Sequence, residues 1–318
     1  MYCFDNPIET ARRPIDVLCV GELLVDLIAA DYGPMLECDS FQRFSGGSPA
    51  NIASNAMRLG MTAAVAAAVG ADGLGDFLLA SLVEAGLDAS LVQRVEESTS
   101  LVLITKSRDA PIPVFYRGAD YRFVMTPDLE ARLLESTILH FSCWPLSMEP
   151  ARSCVKSMIR DARSNRSIIC CDPNYHPSIW KDRSEALAFF EASSPGIDVI
   201  KPSEDDADRL FGADDPERHI RRFLDMGAKL VIMTLGEKGA MASDGKETRE
   251  YPSLADEVVD TTGAGDAFWA GFYAGLIGKR SVDCAIRLGM AVSAIKLRGV
   301  GATVPAATVA EIEQGFSL

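Results

Sequence analysis

The chain has 318 residues, 48% of them hydrophobic and 24% charged, which is typical of a globular protein and excludes a disordered chain, a collagen repeat or a small disulfide scaffold. With 45 acidic and 31 basic residues, its net charge of −14 disfavours binding to nucleic acid or to an anionic membrane surface. Since no apolar run reaches the ~20 residues that span a bilayer, we expect a soluble, cytoplasmic protein.

Apolar runs of strand length alternate with segments of helical periodicity, which predicts an α/β fold with a largely parallel sheet. Strands are predicted at 16–21, 61–69, 137–143, 167–172, 198–201 and 229–234. Helices are predicted at 48–60, 76–85, 149–164, 184–193, 204–211, 215–226, 264–277 and 281–297. Ser48 is expected to cap the first of these helices, and Pro49 suits its first turn.

Two segments depart from this alternation, because 23–44 and 98–122 contain strand patterns without intervening helices. Within the second, 101–105 and 113–117 predict a hairpin. The two segments are expected to form one small sheet that packs over a cleft or against a partner. We therefore interpret 1–318 as one α/β domain with a discontinuous small sheet at about 23–45 and 98–122.

The cysteines and histidines do not predict a metal centre. The eight cysteines form no Cys-x-x-Cys pair, and most of them lie in apolar contexts. The three histidines are not at metal-ligand spacing from one another or from a cysteine cluster. We expect buried free thiols in a reducing compartment and no zinc site.

The segment Asp260-Thr-Thr-Gly-Ala-Gly-Asp266 carries the strongest chemical signal, because its glycine turn leads directly into an apolar helix. Unpaired N–H groups at a helix start favour anions, and the helix dipole stabilises a carboxylate such as Asp266 there. An anion hole beside a positioned base suits phosphoryl transfer to a hydroxyl. A simple aspartate cap after a glycine turn is the alternative.

A second segment, Phe44-Ser-Gly-Gly-Ser-Pro-Ala-Asn51, places adjacent glycines before a helix, where the backbone can approach a ligand closely. Asn51 offers both a donor and an acceptor, and Asp26 is a carboxylate within an apolar run. Such residues suit recognition of neighbouring sugar hydroxyls, although a surface turn and an unrelated acid would give the same pattern. A P-loop and a complete dinucleotide fingerprint are absent from the sequence.

Together and in this order, the two segments resemble the signature regions of the PfkB/ribokinase family of carbohydrate kinases. The resemblance extends along nearly the whole chain through Gly21-Glu-Leu-Leu-Val-Asp26, Gly70-Ala-Asp-Gly-Leu-Gly75, Tyr116-Arg-Gly-Ala-Asp120, Asp172-Pro-Asn-Tyr175, Lys201-Pro-Ser-Glu204 and Thr234-Leu-Gly236. It implies a ribokinase-like three-layer sandwich, with a mostly parallel central sheet and a small β-sheet lid. It also implies an enzyme that uses ATP and Mg²⁺.

The resemblance assigns roles residue by residue. Asp266 would be the catalytic base, and the backbone N–H groups of Gly263, Ala264 and Gly265 would form the anion hole. Sugar hydroxyls would contact Asp26, Gly46, Gly47, Asn51 and, from the lid, Arg117. ATP would lie beside Thr234, Gly236, Gly265 and Ser203. A monovalent cation such as K⁺ is implied at Asp260, Thr262, Ala294, Leu297, Gly299 and Thr303.

One departure from the family pattern concerns magnesium. Many members carry Asn-x-x-Glu where this chain has Ser203-Glu-Asp-Asp206. The shorter carboxylate of Asp206 could act through water-bridged Mg²⁺, because this ion usually keeps several waters.

Substrate preference is read from Phe115 and His176. Acid-sugar kinases of the fructokinase and 2-keto-3-deoxygluconate kinase branch often carry Tyr and Arg at these positions. A neutral histidine is a poor partner for a carboxylate, so we expect a primary hydroxyl of a neutral ketose, most simply fructose, to be phosphorylated. The alternatives are 2-keto-3-deoxygluconate and a non-catalytic sugar or nucleotide sensor. A homodimer through the lid edges is also expected.

Overall fold

A computed structural model of the chain describes residues 2–33, 38–106 and 113–318. Within these ranges it contains thirteen strands and ten α-helices. The strands are β1 (Ile15–Val20), β2 (Leu24–Tyr32), β3 (Phe41–Gly46), β4 (Ala63–Gly70), β5 (Val92–Val95), β6 (Leu101–Lys106), β7 (Val114–Tyr116), β8 (Ser136–Ser142), β9 (Ile168–Asp172), β10 (Val199–Ile200), β11 (Leu230–Thr234), β12 (Ala240–Ser243) and β13 (Thr248–Tyr251). The helices are α1 (Ser48–Arg58), α2 (Gly73–Glu84), α3 (Pro127–Leu134), α4 (Ala151–Ser164), α5 (Arg183–Ser193), α6 (Glu204–Phe211), α7 (Pro216–Asp225), α8 (Ala264–Ile277), α9 (Val282–Leu297) and α10 (Val309–Phe316).

The larger sheet has the strand order β13-β12-β11-β10-β9-β8-β1-β4-β5. Pairing is parallel from β5 to β11 and antiparallel from β11 through β13. Alternate side chains of β1 enter two separate cores, Val17 and Cys19 on one face and Leu18 and Val20 on the other. Because both faces are covered, its strands are continuously apolar, and the predicted three-layer α/β class is confirmed.

The smaller sheet has the order β3-β2-β6-β7 and contains strands from both segments that departed from the α/β alternation. The parallel pairing of β2 with β6 joins these distant segments, and β6 pairs with β7 as the predicted hairpin. Residues 34–37 and 107–112 of the predicted small sheet lie outside the described residues. We call the four strands the lid, because they lie over the carboxyl ends of the central strands.

Several local predictions were wrong or incomplete. Ser48 does not cap α1: Gly47 is the N-cap residue, with φ 111°, and no side chain caps this helix. The second helix begins at Gly73, three residues before the prediction, because the Asp72 carboxylate accepts hydrogen bonds from two first-turn amides. The short elements β5, β12, β13, α3 and α10 were not predicted. No helix in the described ranges is long and apolar enough to cross a membrane.

Candidate active site

A cavity of about 500 Å³ lies between the lid and the carboxyl ends of the central strands. Its lining includes ten of the residues that the sequence singled out: Asp26, Gly47, Asn51, Ser203, Thr234, Thr262, Gly263, Ala264, Gly265 and Asp266. Parallel α/β sheets commonly bind ligands at this edge, where strands end and helices begin. The two predicted signature segments, more than 200 residues apart, therefore meet in one cavity.

Asp266 lies in the first turn of α8 and receives two hydrogen bonds from α1. The Ser48 hydroxyl donates to Oδ1 at 2.6 Å, and the Asn51 side-chain amide donates to Oδ2 at 2.9 Å. Burial raises the pKa of Asp266 to about 6, and these two donors offset the effect only in part. Ser48, which is not a helix cap, thus orients this carboxylate, while Asn51 contacts it rather than pointing only to a ligand.

The turn before α8 depends on glycine. Gly263 has φ 72°, and a Cβ there would lie 2.6 Å from the Cβ of Ala302. The first amides of a helix have no acceptor within the helix, and the residues that begin α8 line the cavity, where such amides suit an anion. The Ala264 N–H is partly engaged, since it donates to the Thr261 carbonyl at 3.2 Å.

Two more carboxylates lie beside Asp266. The carboxylate of Asp26 packs against Gly46, where a Cβ would collide with it. Burial, and then the charge of Asp266, raise the pKa of Asp26 to about 6. Sequence reasoning missed Glu22 as a site residue, although its position inside an apolar run was a usable signal. Its Oε1 accepts the Ser48 N–H at 3.1 Å, and burial raises its pKa to about 8.

A second part of the cavity, which we call the lysine end, carries a buried ion pair. Lys201 is 3% exposed, and its Nζ lies 3.1 Å from Asp172 Oδ2. That oxygen also accepts the Trp269 indole N–H at 2.8 Å. A Cβ on Gly265 would lie 3.4 Å from the Lys201 Nζ, so the ammonium is next to the turn that begins α8. The family resemblance includes Lys201 only as a motif residue, and its approach to this turn is a tertiary contact that the sequence does not predict.

Ser203 and Asp206 also line the lysine end, where they form a capping box at the start of α6. Asp206 Oδ2 accepts the Ser203 N–H at 2.9 Å and its hydroxyl at 2.6 Å, while Oδ1 accepts the Tyr175 N–H at 2.9 Å. Burial and the neighbouring charge of Asp172 raise the pKa of Asp206. Thr234 forms a bridge to Ser203, and Gly236 follows in a turn with φ 58°.

Arg117 is placed differently from the expectation that it reaches toward a sugar. Its guanidinium pairs with Asp120 at 2.5 Å and donates to the Ser147 hydroxyl at 2.6 Å. Arg117 does not belong to the cavity lining among the described residues. The lid instead contributes apolar side chains, including Phe115, whose ring lies 5.0 Å from that of Trp144.

The residues predicted to hold a monovalent cation surround the loop behind the α8 turn. The Asp260 carboxylate accepts the N–H groups of Thr262 at 2.9 Å and Gly301 at 2.8 Å. The Leu297 carbonyl accepts the Val259 N–H at 2.7 Å. Ala294 is buried in α9, whereas Gly299 and Thr303 are exposed. Thr262 is the member of this set that lines the cavity in the described structure.

Side chains that could form a dedicated metal centre do not cluster in the described ranges: no group of three or more histidines, cysteines or carboxylates is placed to hold an ion. A metal in this cavity would therefore depend on few protein ligands. Magnesium that arrives on the phosphates of a nucleotide fits that requirement, because it keeps several waters and takes one or two carboxylates.

Comparison with known proteins defines the class. The sequence profile of the pfkB family of carbohydrate kinases matches residues 14–309, and the chain belongs to this family. An ATP-dependent 6-phosphofructokinase from Thermoanaerobacterium thermosaccharolyticum is 47% identical over 318 residues, covering 100% of this chain and 99% of that protein. The predicted family membership is confirmed, and with it the assignment as an ATP-dependent carbohydrate kinase.

Solved structures agree with this assignment. Fructokinase from Halothermothrix orenii is 36% identical and superposes with a TM-score of 0.76, covering 87% of this chain and 98% of that one. An Escherichia coli protein assigned as a ribokinase II, in complex with ATP and Mg²⁺, is 25% identical with a TM-score of 0.83 and covers 95% of this chain and 99% of its own.

Proposed function

We propose that this protein transfers the γ-phosphoryl group of ATP to a primary hydroxyl of a ketohexose, with Asp266 as the general base. The observation that carries the proposal is the placement of Asp266 between two α1 donors and the amide-rich turn that begins α8. A base whose pKa is about 6 is largely ionised at pH 7 and still accepts a proton readily.

The proposed reaction needs one proton transfer and one substitution at phosphorus. The sugar hydroxyl gives its proton to the Asp266 carboxylate as its oxygen attacks the γ-phosphorus. The bond from the γ-phosphorus to the β–γ bridging oxygen breaks, and ADP leaves with that electron pair. Amides at Gly263, Ala264 and Gly265 and the ammonium of Lys201 stabilise negative charge on the transferring group, with Ala264 contributing least because of its bond to Thr261.

The remaining site residues bind and enclose the substrates. Asp26, Asn51 and the backbone at Gly46 and Gly47 would contact sugar hydroxyls. Thr234, Gly236, Ser203 and Gly265 would border ATP. The apolar lid side chains Phe115 and Val102 line the same cavity and would exclude water from the phosphoryl group.

Magnesium fits the lysine-containing end of the cavity through Asp206. A carboxylate has about four lone-pair sites, and Asp206 accepts three hydrogen bonds, so Oδ1 retains acceptor capacity for a magnesium-bound water. When bound, the ion would neutralise charge on the phosphates and orient them.

Among ketohexoses, we propose fructose 6-phosphate as the substrate. The supporting observation is the 47% identity with a 6-phosphofructokinase along the full chain. Fructose is the second candidate, as the sequence suggested, and a specific observation favours it. Within the described lining, Lys201 is the only cationic side chain, and it is paired with Asp172. A 6-phosphate group would then need a cation from outside this lining.

The acid sugar 2-keto-3-deoxygluconate is less well matched. His176 lies edge-on to Phe115 at 5.0 Å, and burial together with Arg209 lowers its pKa. A neutral imidazole gives a substrate carboxylate no charge to pair with.

The test is ADP release with Mg²⁺-ATP and fructose 6-phosphate, fructose or 2-keto-3-deoxygluconate, each measured as kcat/KM on one preparation. A preference for fructose 6-phosphate of at least about tenfold, equivalent to about 1.4 kcal/mol, supports the first candidate. A preference for fructose supports fructose, the second candidate, as the substrate. If none of these ketoses releases ADP above the sugar-free rate, the proposed substrate class is wrong, and nucleotide and sugar binding by calorimetry would then test the sensor alternative.

We also propose that two chains associate through their lids. In the described structure β3 and β7 are the edge strands of the lid, and they expose the apolar side chains Phe44 at 42% and Tyr116 at 56%. Light scattering should give about twice the chain mass of 34.3 kDa. A monomeric mass at micromolar concentration would contradict the association.

A further inference from the structure

A buried ammonium lies directly behind the turn that begins α8. Lys296, in the last turn of α9, is 1% exposed. Its Nζ donates to the backbone carbonyl of Asp260 at 2.5 Å and lies 3.7 Å from Asp260 Oδ2. Lys296 therefore places a positive charge inside the protein, against Asp260, which is three residues before the N-cap Gly263.

This ammonium occupies the place where the family resemblance implied a monovalent cation. The Asp260 carbonyl, an expected ligand, already accepts the Lys296 ammonium, and the Asp260 carboxylate accepts two amides. The Leu297 carbonyl accepts a further amide. A potassium ion on Asp260 would also lie within a few ångströms of a like charge, which is unfavourable in a buried setting. The residues present therefore do not fit a bound potassium ion.

We propose that the Lys296 ammonium is the built-in cation of this kinase, and that it positions the α8 turn so that catalysis requires no monovalent ion. The inference rests on the proposed function, since it concerns the anion hole of the same site. Lys296 is a positioning residue, because its contact is with Asp260 and not with the cavity.

The path from the ammonium to the anion hole is short. Asp260 is held by Lys296 and also accepts the Gly301 N–H, so α9, the loop at 301 and the α8 turn converge on one residue. The next residue along that loop, Ala302, packs against Gly263. Loss of the charge would free the Asp260 carbonyl and loosen the loop against which Gly263 is packed.

The first test compares the wild-type enzyme in chloride salts of potassium, sodium and tetramethylammonium at equal ionic strength. We expect kcat to change by less than about twofold, since the internal charge needs no supplement. Activation by potassium of about tenfold or more would overturn the proposal, because a protein with its own fixed cation has no such requirement.

The second test uses Lys296→Met, with Lys296→Arg as the charge-retaining variant and Lys246→Met, on an exposed turn, as the control. In tetramethylammonium we expect Lys296→Met to lose about 10- to 100-fold in kcat, as is typical for residues that orient a site indirectly. Potassium or ammonium should restore part of this loss, and Lys296→Arg should stay closer to wild type. An unchanged kcat in Lys296→Met, or a loss that no small cation restores, would overturn the proposal.

A measurement of thermal stability, which does not depend on turnover, tests this inference separately from the proposed function. An ion that binds only the folded state raises the thermal midpoint. We expect potassium, relative to tetramethylammonium, to raise the midpoint of Lys296→Met but not that of wild type. This holds even if no tested sugar is phosphorylated. A midpoint of wild type that rises specifically with potassium would show that an ion still binds beside Lys296, and would reject the proposal.

Discussion

The two ends of the cavity differ in whether a carboxylate is paired with a buried cation. At the base end, comprising Asp266, Asp26 and Glu22, no carboxylate forms an ion pair within the described structure. Asp266 accepts hydrogen bonds from a hydroxyl and a side-chain amide, and Glu22 accepts a backbone N–H. At the lysine end, comprising Lys201, Asp172 and Asp206, the Asp172 carboxylate is paired with the buried ammonium of Lys201.

This difference separates two electrostatic tasks. Burial is the largest cause of the raised pKa values at the base end, which are about 6 for Asp266 and Asp26 and about 8 for Glu22. Neutral donors offset the effect of burial only in part at Asp266 and Glu22, and the charge of Asp266 adds to it at Asp26. The lysine end supplies a positive charge near Gly265, where a phosphoryl group would develop negative charge. One end is therefore suited to accepting a proton and the other to stabilising an anion.

The largest expected effect comes from removing the base. Asp266→Asn keeps the shape of the side chain and one hydrogen-bond acceptor but cannot take a proton. We therefore expect kcat to fall about 10²- to 10⁴-fold while sugar binding is largely retained. Steady-state kinetics and calorimetric binding of the sugar measure the two quantities. Asp225→Asn, at the exposed end of α7, is the matched control. A kcat within threefold of the control would remove Asp266 from the role of base.

The next effect concerns the lysine end. Lys201→Met should lower kcat about 10²-fold, as loss of one electrostatic stabiliser commonly does. It also leaves the Asp172 carboxylate without its ion partner, which lowers stability. The double variant Asp172→Asn/Lys201→Met should recover thermal stability without recovering turnover. Recovery of both would show that Lys201 only balances Asp172.

The third expectation concerns pH and tests the base end as a whole. Because the pKa of Asp266 is raised to about 6, the ionised base is lost as the pH falls below that value. We expect kcat/KM to be half-maximal near pH 6 and to fall about tenfold per unit below it. An inflection near pH 4 would mean that burial does not raise the pKa of the base, and the contrast between the two ends would disappear.

The smallest effect on turnover is expected at Glu22. With a pKa of about 8 it is mostly protonated at pH 7, so Glu22→Gln should leave kcat within about twofold of wild type. Stability should respond instead. The folded state binds this proton more tightly than the unfolded state, so wild-type stability contributed by Glu22 is fully present below about pH 4.5 and is lost as the pH rises toward 8. Between pH 5 and pH 9 the thermal midpoint of Glu22→Gln should fall less than that of the wild type. If the two midpoints fall in parallel, the pKa of Glu22 is not raised.

Sequence reasoning was most successful where local chemistry and position coincide. The Gly-Ala-Gly-Asp turn before α8 predicted a helix start and a carboxylate at an anion-friendly point, and the structure places it in the cavity. The strand alternation predicted the three-layer class, because strands buried on both faces are continuously apolar. The lid hairpin followed from alternating strand patterns in the second segment.

What could not be predicted depended on tertiary contacts. Ser48 has the residue type of a helix cap, but its hydroxyl contacts a carboxylate 218 positions away. Lys296 follows an apolar run in α9, and nothing local indicates that Asp260 receives its ammonium. Arg117 was expected to face a ligand, yet Asp120, three residues later, pairs with it. The capping box of α10, Thr308 with Glu311, was a local signal that could have revealed that helix.

The positions of two tryptophans have an optical consequence. Trp269 donates to Asp172 and its ring lies 5.5 Å from the Lys201 Nζ, whereas Trp144 lines the cavity against Phe115 of the lid. The third tryptophan of the chain, Trp180, is buried in the core. Indole emission responds to nearby charge and to exposure, so Trp269 would report arrival of an anionic ligand and Trp144 movement of the lid. Two of the protein's tryptophans thus serve as separate fluorophores, one at the lysine end of the cavity and one against the lid.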